Sequence, residues 1–397
     1  MREYLNRRRF LYRVAGYGAA AAGCGWLPAQ FAIADPRKLP PAPDHALTVI
    51  AGKPRERGRQ YGQTFKDQIG TFLDRMVYHS PYFKNPPRDE LLRYAGQCVK
   101  EVKSYSPLIH DELEGMAEGS GLKFDEVALL AVNEEFYHLG MLPPSGHCTV
   151  LAAGSPDTRD GNTYVGQNWD WPDSIYGISS VLLWKRPEGP HLLAYAYPGL
   201  WVGAGLNSAG IALCWSSGAQ RAGEKLGIPR PRVGIPTYVL IAQMLYQDTL
   251  QAAIEEVRRA KQAGWFSFVL ADGKGQLARV EGSPKELAVE LSQGHLAGVG
   301  YGIRQMTRTP KDQPIEQHPQ YQRMSKLLEG GKGKLDRGTL QGFLGDHGSD
   351  PLSAPCKHYA TGGTLDSMLF NATKREAYVN RGPGCLNRWK RFTFEET

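Results

Sequence analysis

Apolar side chains recur at helical spacing in the first third of the chain. The clearest set is Tyr61, Phe65, Ile69 and Phe72. Their steps of four, four and three residues place them on one face of a helix. Further helices are predicted over 89–104, after Pro107 and over 125–138. Residues 45–147 are therefore predicted to be mostly helical, with one short strand over 47–51.

After residue 148 the pattern changes to short runs of apolar and β-branched residues, separated by turns rich in glycine, proline and aspartate. These runs predict strands over 148–153, 162–169, 181–185, 191–197, 200–206, 210–216, 266–271, 277–281, 367–371 and 376–380. Helices are predicted over 237–263, 321–328 and 339–346, the first with a capping box formed by Asp248 and Gln251. Strand hairpins between blocks of helices indicate an α+β fold in which antiparallel sheets are covered by helical layers.

The first 34 residues have the features of an export signal. Residues 7–11 read Arg-Arg-Arg-Phe-Leu, the order of a twin-arginine signal, and an alanine-rich stretch then ends in Ala-Ile-Ala at 32–34. A proline-rich linker is predicted over 35–44. The sequence thus predicts twin-arginine export to the periplasm or the cell exterior. It leaves open a lipid anchor at Cys24, because residues 21–24 read Ala-Ala-Gly-Cys.

Charge and hydropathy argue against nucleic-acid binding and against a transmembrane span. Removal of residues 1–34 takes away five arginines and one glutamate, so the formal net charge falls from +7 to +3. No cluster of lysine and arginine interleaved with aromatic residues is present, which argues against nucleic acid as a partner. No stretch after the signal is long and apolar enough to be predicted as a transmembrane span.

Five cysteines follow the signal: Cys98, Cys148, Cys214, Cys356 and Cys385. The odd number predicts that at least one thiol stays free. A disulfide between Cys356 and Cys385 is left open by the sequence. The chain has no CxxC or HExxH spacing, so no metal site is predicted, and no cofactor is predicted either.

Cys148 lies where a loop with two prolines and a glycine meets the first predicted strand of the second part. The peptide bond between His147 and Cys148 is therefore expected to be accessible. If that bond is cut, Cys148 gains an α-amino group with an ordinary pKa of about 7.7–8.0. Such an amine can accept the proton of the neighbouring thiol without a separate histidine. The alternative is an inert cysteine buried in a strand.

Asp170 is the second predicted catalytic residue. A turn at Asp160 and Gly161 returns the next strand beside Cys148, and the alternation along that strand places Asn168 and Asp170 on one side. A carboxylate at this position would hold and orient the ammonium group that forms when the Cys148 amine takes up a proton. The alternative is a turn aspartate that precedes Pro172.

These residues also carry a resemblance. The segments CTVLAAG at 148–154 and DGNTYVGQNWDW at 160–171 resemble the acyl-coenzyme A:6-aminopenicillanic acid acyltransferase family, peptidase family C45, within the N-terminal-nucleophile superfamily. The segments at 50–69 and 113–135 are similar to the same family. Further similar segments follow in family order at 205–213, 235–245, 268–284, 344–349 and 362–371. The resemblance spans most of residues 46–397.

The resemblance implies a four-layer αββα sandwich, formed as one domain by residues 45–147 and 148–397 of a precursor that is cut in two. It implies Cys148 as the nucleophile and Asp170 as the catalytic aspartate. The chain departs from the family at His147, where relatives often have a small residue, and at Ser216, where they often have asparagine. It also lacks an asparagine in 295–306.

The family pattern therefore does not identify the oxyanion donors. Asn168, Asn207 and Ser216 are the candidates that the sequence offers. Arg304 and Arg323 are candidates for an arginine that some relatives place near the active site.

The sequence predicts a self-processing cysteine hydrolase that cleaves a linear amide bond in a small molecule, or passes the acyl group on through a thioester. Export favours water as the acyl acceptor, and four tryptophans, Trp169, Trp171, Trp201 and Trp215, indicate a partly apolar acyl pocket. Two alternatives remain open at this point. One is an exported cysteine protease with a separate histidine, and the other is an inactive binding protein on the same scaffold.

Overall fold

The computed structural model describes residues 42–79, 87–135, 148–197, 200–217, 232–285, 287–299, 319–348, 354–359 and 362–395. The predicted signal over 1–34, Cys24, most of the linker, His147 and Arg304 lie outside these residues. What the sequence predicts for them stays a prediction.

The strands are numbered along the chain. They are β1 (Leu47–Ala51), β2 (Thr149–Ala153), β3 (Tyr164–Pro172), β4 (Ser180–Lys185), β5 (Leu192–Ala196), β6 (Ala204–Asn207), β7 (Ala212–Ser217), β8 (Phe266–Ala271), β9 (Leu277–Gly282), β10 (Leu287–Ser292), β11 (His295–Gly298), β12 (His358–Tyr359), β13 (Gly362–Asn371), β14 (Glu376–Arg381) and β15 (Trp389–Thr393).

Nine helices are described. They are α1 (Pro54–Thr64), α2 (Lys66–Phe72), α3 (Arg88–Tyr105), α4 (Pro107–Ser120), α5 (Phe124–Ala131), α6 (Thr237–Leu245), α7 (Leu250–Arg259), α8 (Pro319–Gly330) and α9 (Arg337–Leu344). A π-helical turn, Leu73–Tyr78, continues α2. Within the described part of the chain, no helix combines the length and apolar character that crossing a bilayer requires.

The described strands form two sheets. The first has the order β1-β4-β5-β6-β7-β8-β9-β10, and the second has the order β11-β2-β3-β13-β14-β15, with β12 paired to β13. Every pairing is antiparallel except that of β1 with β4. The first strand of the predicted first fragment is thus hydrogen-bonded into a sheet that otherwise belongs to the predicted second fragment.

The two sheets face each other, and helices cover their outer faces. The Trp215 backbone N–H on β7 donates to Gln167 Oε1 on β3, across the gap between the sheets, at 3.0 Å. On the outer side of the first sheet, the Trp215 ring packs edge-on against Tyr238 of α6 at 5.5 Å. Leu328 and Leu344, of α8 and α9, pack on the outer face of the second sheet. The predicted α+β sandwich of four layers is confirmed.

The helical layer next to β1 is held by direct backbone contact between α1 and α4. A Cβ atom added to Gly58 or Gly115 would lie 1.9 Å from a carbonyl oxygen of the other helix, and one added to Gly62 or Gly119 would lie within 2.3 Å of such an oxygen. Only glycine, which lacks a Cβ, permits this approach.

One predicted helix is wrong in its length and its cap. The segment 237–263 forms two helices, α6 and α7, that are separated by residues 246–249. The N-cap of α7 is Thr249, whose Oγ1 accepts a hydrogen bond from the Ala252 N–H at 3.1 Å. A capping box between Asp248 and Gln251 is therefore not formed, because the helix begins one residue later than that box requires.

A buried ion network joins the predicted fragments. Arg57 of α1 binds Glu112 of α4 at 2.6 Å and Glu188 of the second fragment at 2.5 Å. Tyr246 Oη and Trp184 Nε1 also donate to Glu112, at 2.8 and 3.2 Å. Arg57 and Glu112 have no exposed side-chain surface. The charges of Arg57 and Glu112 thus depend on their partners for compensation, whereas Glu188 is partly exposed.

A second buried cluster joins His45, near the start of the described chain, to the second fragment. His45 Nε2 lies 3.1 Å from Ser179 Oγ, and Ser179 and Tyr195 both donate to Asp366. Arg381 also binds Asp366 and Ser179. The pKa of His45 is lowered from 6.5 to about 4, mainly by burial; Asp366 opposes the shift, and Arg381 contributes to it.

This shift predicts a loss of stability in acid. The unfolded chain binds a proton at residue 45 below about pH 6.5, whereas the folded chain binds it only near pH 4. The contribution of neutral His45 to the free energy of unfolding is therefore complete above pH 6.5. It is lost as the pH falls from 6.5 to 4, by about 3 kcal/mol at most. Urea unfolding of His45→Gln at pH 7 and pH 4.5 should show a smaller difference than the wild type. Equal differences in the two proteins would refute the assignment.

Candidate active site

Cys148 immediately precedes β2 and lies beside β3. Thr149 pairs with Asn168 in an antiparallel register, which places Cys148 next to Trp169 and Asp170. The predicted hairpin through 160–161 is thus confirmed. Cys148 is buried, with 6% of its surface exposed.

Burial raises the pKa of the Cys148 thiol to about 12, and the Asp170 carboxylate adds to the increase. The backbone N–H of Asp170 and the charge of Lys357 act in the opposite direction. A raised pKa keeps the thiol protonated at neutral pH, and only the thiolate reacts readily, so a nucleophilic role for Cys148 requires a base.

Asp170 is buried and held from two sides. Its Oδ1 accepts a hydrogen bond from Thr364 Oγ1 at 2.7 Å, and its Oδ2 lies 3.2 Å from Lys357 Nζ. Burial raises the pKa of Asp170 and lowers that of Lys357, and the ion pair between them opposes both shifts. These contacts fix the carboxylate next to Cys148.

Ser216 lies on β7 of the opposite sheet, and its Oγ donates to the carbonyl oxygen of Cys148 at 3.2 Å. The hydroxyl therefore contacts the backbone of the predicted nucleophile directly. Of the three oxyanion candidates, Ser216 is the one that the structure brings to Cys148 itself.

The two asparagine candidates are engaged elsewhere. Asn168 Nδ2 donates to the carbonyl oxygens of Leu344 and Pro355, each at 2.8 Å, so both of its hydrogens are used. Asn207 Nδ2 likewise donates to the carbonyl oxygens of Leu245 and Gln247.

Asn207 is also distant from the nucleophile. Its Oδ1 accepts from the N–H of Ile211, which immediately precedes β7 and lies five residues before Ser216. That separation is about 16 Å for an extended strand. The structure therefore does not bring Asn207 to Cys148.

Two charged residues near Cys148 were not predicted from the sequence. Lys357 pairs with Asp170, and the Glu134 carboxylate contributes to the raised pKa of Cys148 after burial and Asp170. Glu134 lies just beyond α5, and its side chain has no exposed surface. In the sequence, the only signal for either residue was a lysine or glutamate within a short apolar segment. That signal does not show which other residue the side chain will approach in the fold.

The predicted tryptophans separate into different surroundings. Trp169 stacks on Tyr197 at 4.6 Å and on Trp171 at 6.2 Å, and the two tryptophans lie on β3, the strand beside Cys148. Trp201 stacks instead on Trp184 at 5.4 Å, within the helix-covered side of the first sheet.

Arg323, a second predicted candidate, is paired elsewhere. It binds Asp346 with two hydrogen bonds, at 2.6 and 2.7 Å. Nothing in these contacts connects Arg323 with Cys148.

The chain is 23% identical over 344 residues to the 40 kDa form of acyl-coenzyme A:6-aminopenicillanic-acid acyltransferase from Emericella nidulans, a match that covers 83% of this chain and 91% of that protein. No protein-family model matches the chain.

Solved structures also match part of this chain. A variant of the conjugated bile acid hydrolase from Clostridium perfringens is 13% identical, with a TM-score of 0.42 over 63% of this chain and 94% of that one. Penicillin V acylase from Agrobacterium tumefaciens is 10% identical, with a TM-score of 0.37 over 59% of this chain and 82% of that one.

The sequence match runs through both predicted fragments, and the matched relative is an acyltransferase, which supports the prediction that the chain is an enzyme. More narrowly, the predicted resemblance to the acyl-coenzyme A:6-aminopenicillanic acid acyltransferases is confirmed.

Proposed function

We propose that the chain is a self-processing cysteine hydrolase or acyltransferase that cleaves a linear amide bond through a thioester on Cys148. The observation that carries this proposal is the position of Cys148. It is a buried thiol at the start of a strand, next to a carboxylate that is held by Lys357 and Thr364. The similar enzyme from Emericella nidulans is itself named as an acyltransferase.

Self-processing supplies the base that the thiol needs. Cleavage of the bond between His147 and Cys148 converts the Cys148 amide into an amine with an ordinary pKa of about 7.7–8.0. The amine takes the thiol proton, and the carboxylate of Asp170 stabilises the resulting ammonium. The new positive charge beside Cys148 also lowers the free energy of the thiolate.

The reaction then follows from the positions of these groups. The thiolate attacks the amide carbonyl, the carbon–nitrogen bond breaks, and the ammonium returns its proton to the leaving amine. Water attacks the thioester with the Cys148 amine again acting as base, which releases the acid and restores the thiol. We also propose export, which separates the enzyme from acyl-coenzyme A, the acyl donor of a transfer reaction. Hydrolysis, with water as the acyl acceptor, is therefore the proposed reaction. The aromatic group of Trp169, Trp171 and Tyr197 favours an acyl chain with apolar character.

The cysteine-protease alternative requires a histidine beside the thiol. Among the described residues, no histidine is hydrogen-bonded to the Cys148 thiol; the charged groups that shift its pKa are Asp170, Lys357 and Glu134, and Ser216 contacts its carbonyl oxygen. This set favours the amine as the base.

Intact-mass analysis of the purified mature protein tests the proposal. We expect two fragments, the second beginning with Cys-Thr, and an added acyl mass on that fragment after an acid quench during turnover of N-acyl amines. A single uncut chain that hydrolyses amides would rule out the amine mechanism. A cut chain with no turnover on any N-acyl amine would favour the inactive binding protein.

Asp170→Asn is expected to lower kcat by about 10²–10⁴-fold, the range for loss of an acid–base partner or its orienting carboxylate. The substitution also leaves the Lys357 ammonium buried without its carboxylate, which destabilises the fold. Activity must therefore be measured beside the free energy of unfolding, on an N-acyl amine at several pH values.

The double variant Asp170→Asn, Lys357→Met is the control. Removal of the lysine charge should restore most of the lost stability, because no uncompensated charge remains. If activity recovers together with stability, Asp170 is structural and the proposed role is wrong.

A further inference from the structure

Four metal-binding side chains converge at one point on the outer side of the second sheet. They are His347, Cys356, His358 and Cys385, and their ligand atoms all lie within 4.8 Å of one another. His358 Nε2 lies 3.0 Å from His347 Nε2, 3.6 Å from Cys356 Sγ and 3.5 Å from Cys385 Sγ. We refer to these four residues as the Cys₂His₂ cluster.

We propose that the Cys₂His₂ cluster binds a zinc ion. Bond lengths of about 2.0–2.1 Å to nitrogen and 2.3 Å to sulfur, in a tetrahedron, place two nitrogens about 3.3 Å apart and a nitrogen and a sulfur about 3.6 Å apart. The three separations from His358 Nε2 lie within about 0.3 Å of these values. The cluster thus has the size of a zinc coordination shell.

The composition of the cluster indicates the metal. Two thiolates and two imidazoles suit zinc, whereas the hard cations calcium and magnesium prefer oxygen ligands. Four protein ligands also leave no position for water or substrate, which is typical of a structural zinc site. The bound metal would therefore stabilise the fold and would not take part in catalysis.

The arrangement of the three chain segments supports a shared cation. His347 follows α9, Cys356 and His358 lie on either side of Lys357, and Cys385 lies in the helical turn Gly384–Leu386. The Cys356 N–H donates to the Asp346 carbonyl at 3.0 Å, so hydrogen bonds already hold two of these segments together. A single imidazole nitrogen donates or accepts one hydrogen bond, yet one nitrogen and two sulfurs lie within 3.6 Å of His358 Nε2.

The cluster also has a consequence for the site at Cys148. Lys357 lies between two of the four ligands, and its Nζ pairs with Asp170. A metal bound to Cys356 and His358 would fix the backbone from which this lysine reaches Asp170. The absence of CxxC and HExxH spacing led the sequence to predict no metal. The proposed ligands come from positions 347, 356, 358 and 385, which no short motif covers.

The test uses the untagged mature protein, purified without chelator. We expect about one zinc per chain by inductively coupled plasma mass spectrometry. After removal of the metal under reducing conditions, cobalt(II) should give the visible bands of a tetrahedral site together with thiolate-to-cobalt charge-transfer bands. Cys356→Ser and Cys385→Ser should each weaken these bands and lower zinc affinity by more than tenfold, since loss of an outer-shell partner alone costs 10–100-fold.

Cys98→Ser is the matched control, because Cys98 is a buried cysteine in α3 outside the cluster. Its cobalt spectrum and zinc content should equal those of the wild type. A Cys356–Cys385 disulfide, seen as a mass lower by two hydrogens, combined with no cobalt binding after reduction, would overturn the proposal. Free thiols that bind neither zinc nor cobalt would overturn it equally.

Discussion

Replacement of Cys148 by alanine is expected to give a single uncut chain with no measurable turnover of N-acyl amines. The thiol is both the group proposed to attack the chain at residue 147 and the group proposed to carry the acyl intermediate. Its removal therefore stops processing and catalysis together. The effect on rate should reach about 10⁶-fold, as for loss of other covalent nucleophiles.

Two further variants make this result specific. Cys148→Ser retains a hydroxyl, which is a weaker nucleophile than a thiolate, so slow cleavage with little turnover is expected. Cys98→Ala removes another buried thiol and should leave cleavage and turnover unchanged. A Cys148→Ala protein that is cut at the same bond would show that another protease makes the cut. An uncut Cys148→Ala protein with normal turnover would place the nucleophile elsewhere.

Arg57→Met is expected to reduce the free energy of unfolding by about 3–5 kcal/mol, because it leaves the fully buried Glu112 without its cation. Glu188 loses the same partner, so the contact between the two predicted fragments weakens as well. Urea unfolding followed by circular dichroism gives the stability. Size-exclusion chromatography of the cut protein shows whether the fragments separate earlier than in the wild type.

Arg55→Met provides a matched control on the same helix. Arg55 is exposed and forms ion pairs with Glu114 and Glu118, which solvent screens, so its loss should change stability little. The double variant Arg57→Met, Glu112→Leu should recover much of the loss, since it leaves neither charge buried alone. Equal effects of the Arg55 and Arg57 variants would show that burial does not set the strength of these ion pairs.

Local sequence patterns predicted the elements that short-range periodicity and turn residues specify. Strand β1 and the hairpin of β8 and β9 lie where alternation and the turn at 272–275 placed them. The apolar set from Tyr61 to Phe72 is buried as its spacing required, but it lies on two helices, α1 and α2, because the predicted single helix is interrupted at Phe65. Strands β10, β11 and β15 were not predicted, because short, partly exposed strands at or near sheet edges carry little apolar signal. The break between α6 and α7 was missed, because both helices share one continuous apolar periodicity.

In the candidate site, too, local contacts were predicted from the sequence and contacts with distant segments were not. The pairing of Cys148 with the strand of Asp170 followed from one hairpin, which sequence reasoning can recognise. The approach of Lys357 could not be predicted, because it depends on a segment almost two hundred residues further along. Asn207 failed as a candidate for a related reason. An asparagine in a turn serves the turn unless the fold brings it elsewhere, and here its amide holds the end of α6.

The glycine contact between α1 and α4 has a consequence for the order of folding. The two helices touch backbone to backbone, and both lie within the first hundred and twenty residues of the chain. The close approach of the two backbones itself involves no strand of the second fragment. This pair should therefore exchange hydrogen slowly as one cooperative unit and protect its amides early in refolding, before the two sheets close over Cys148.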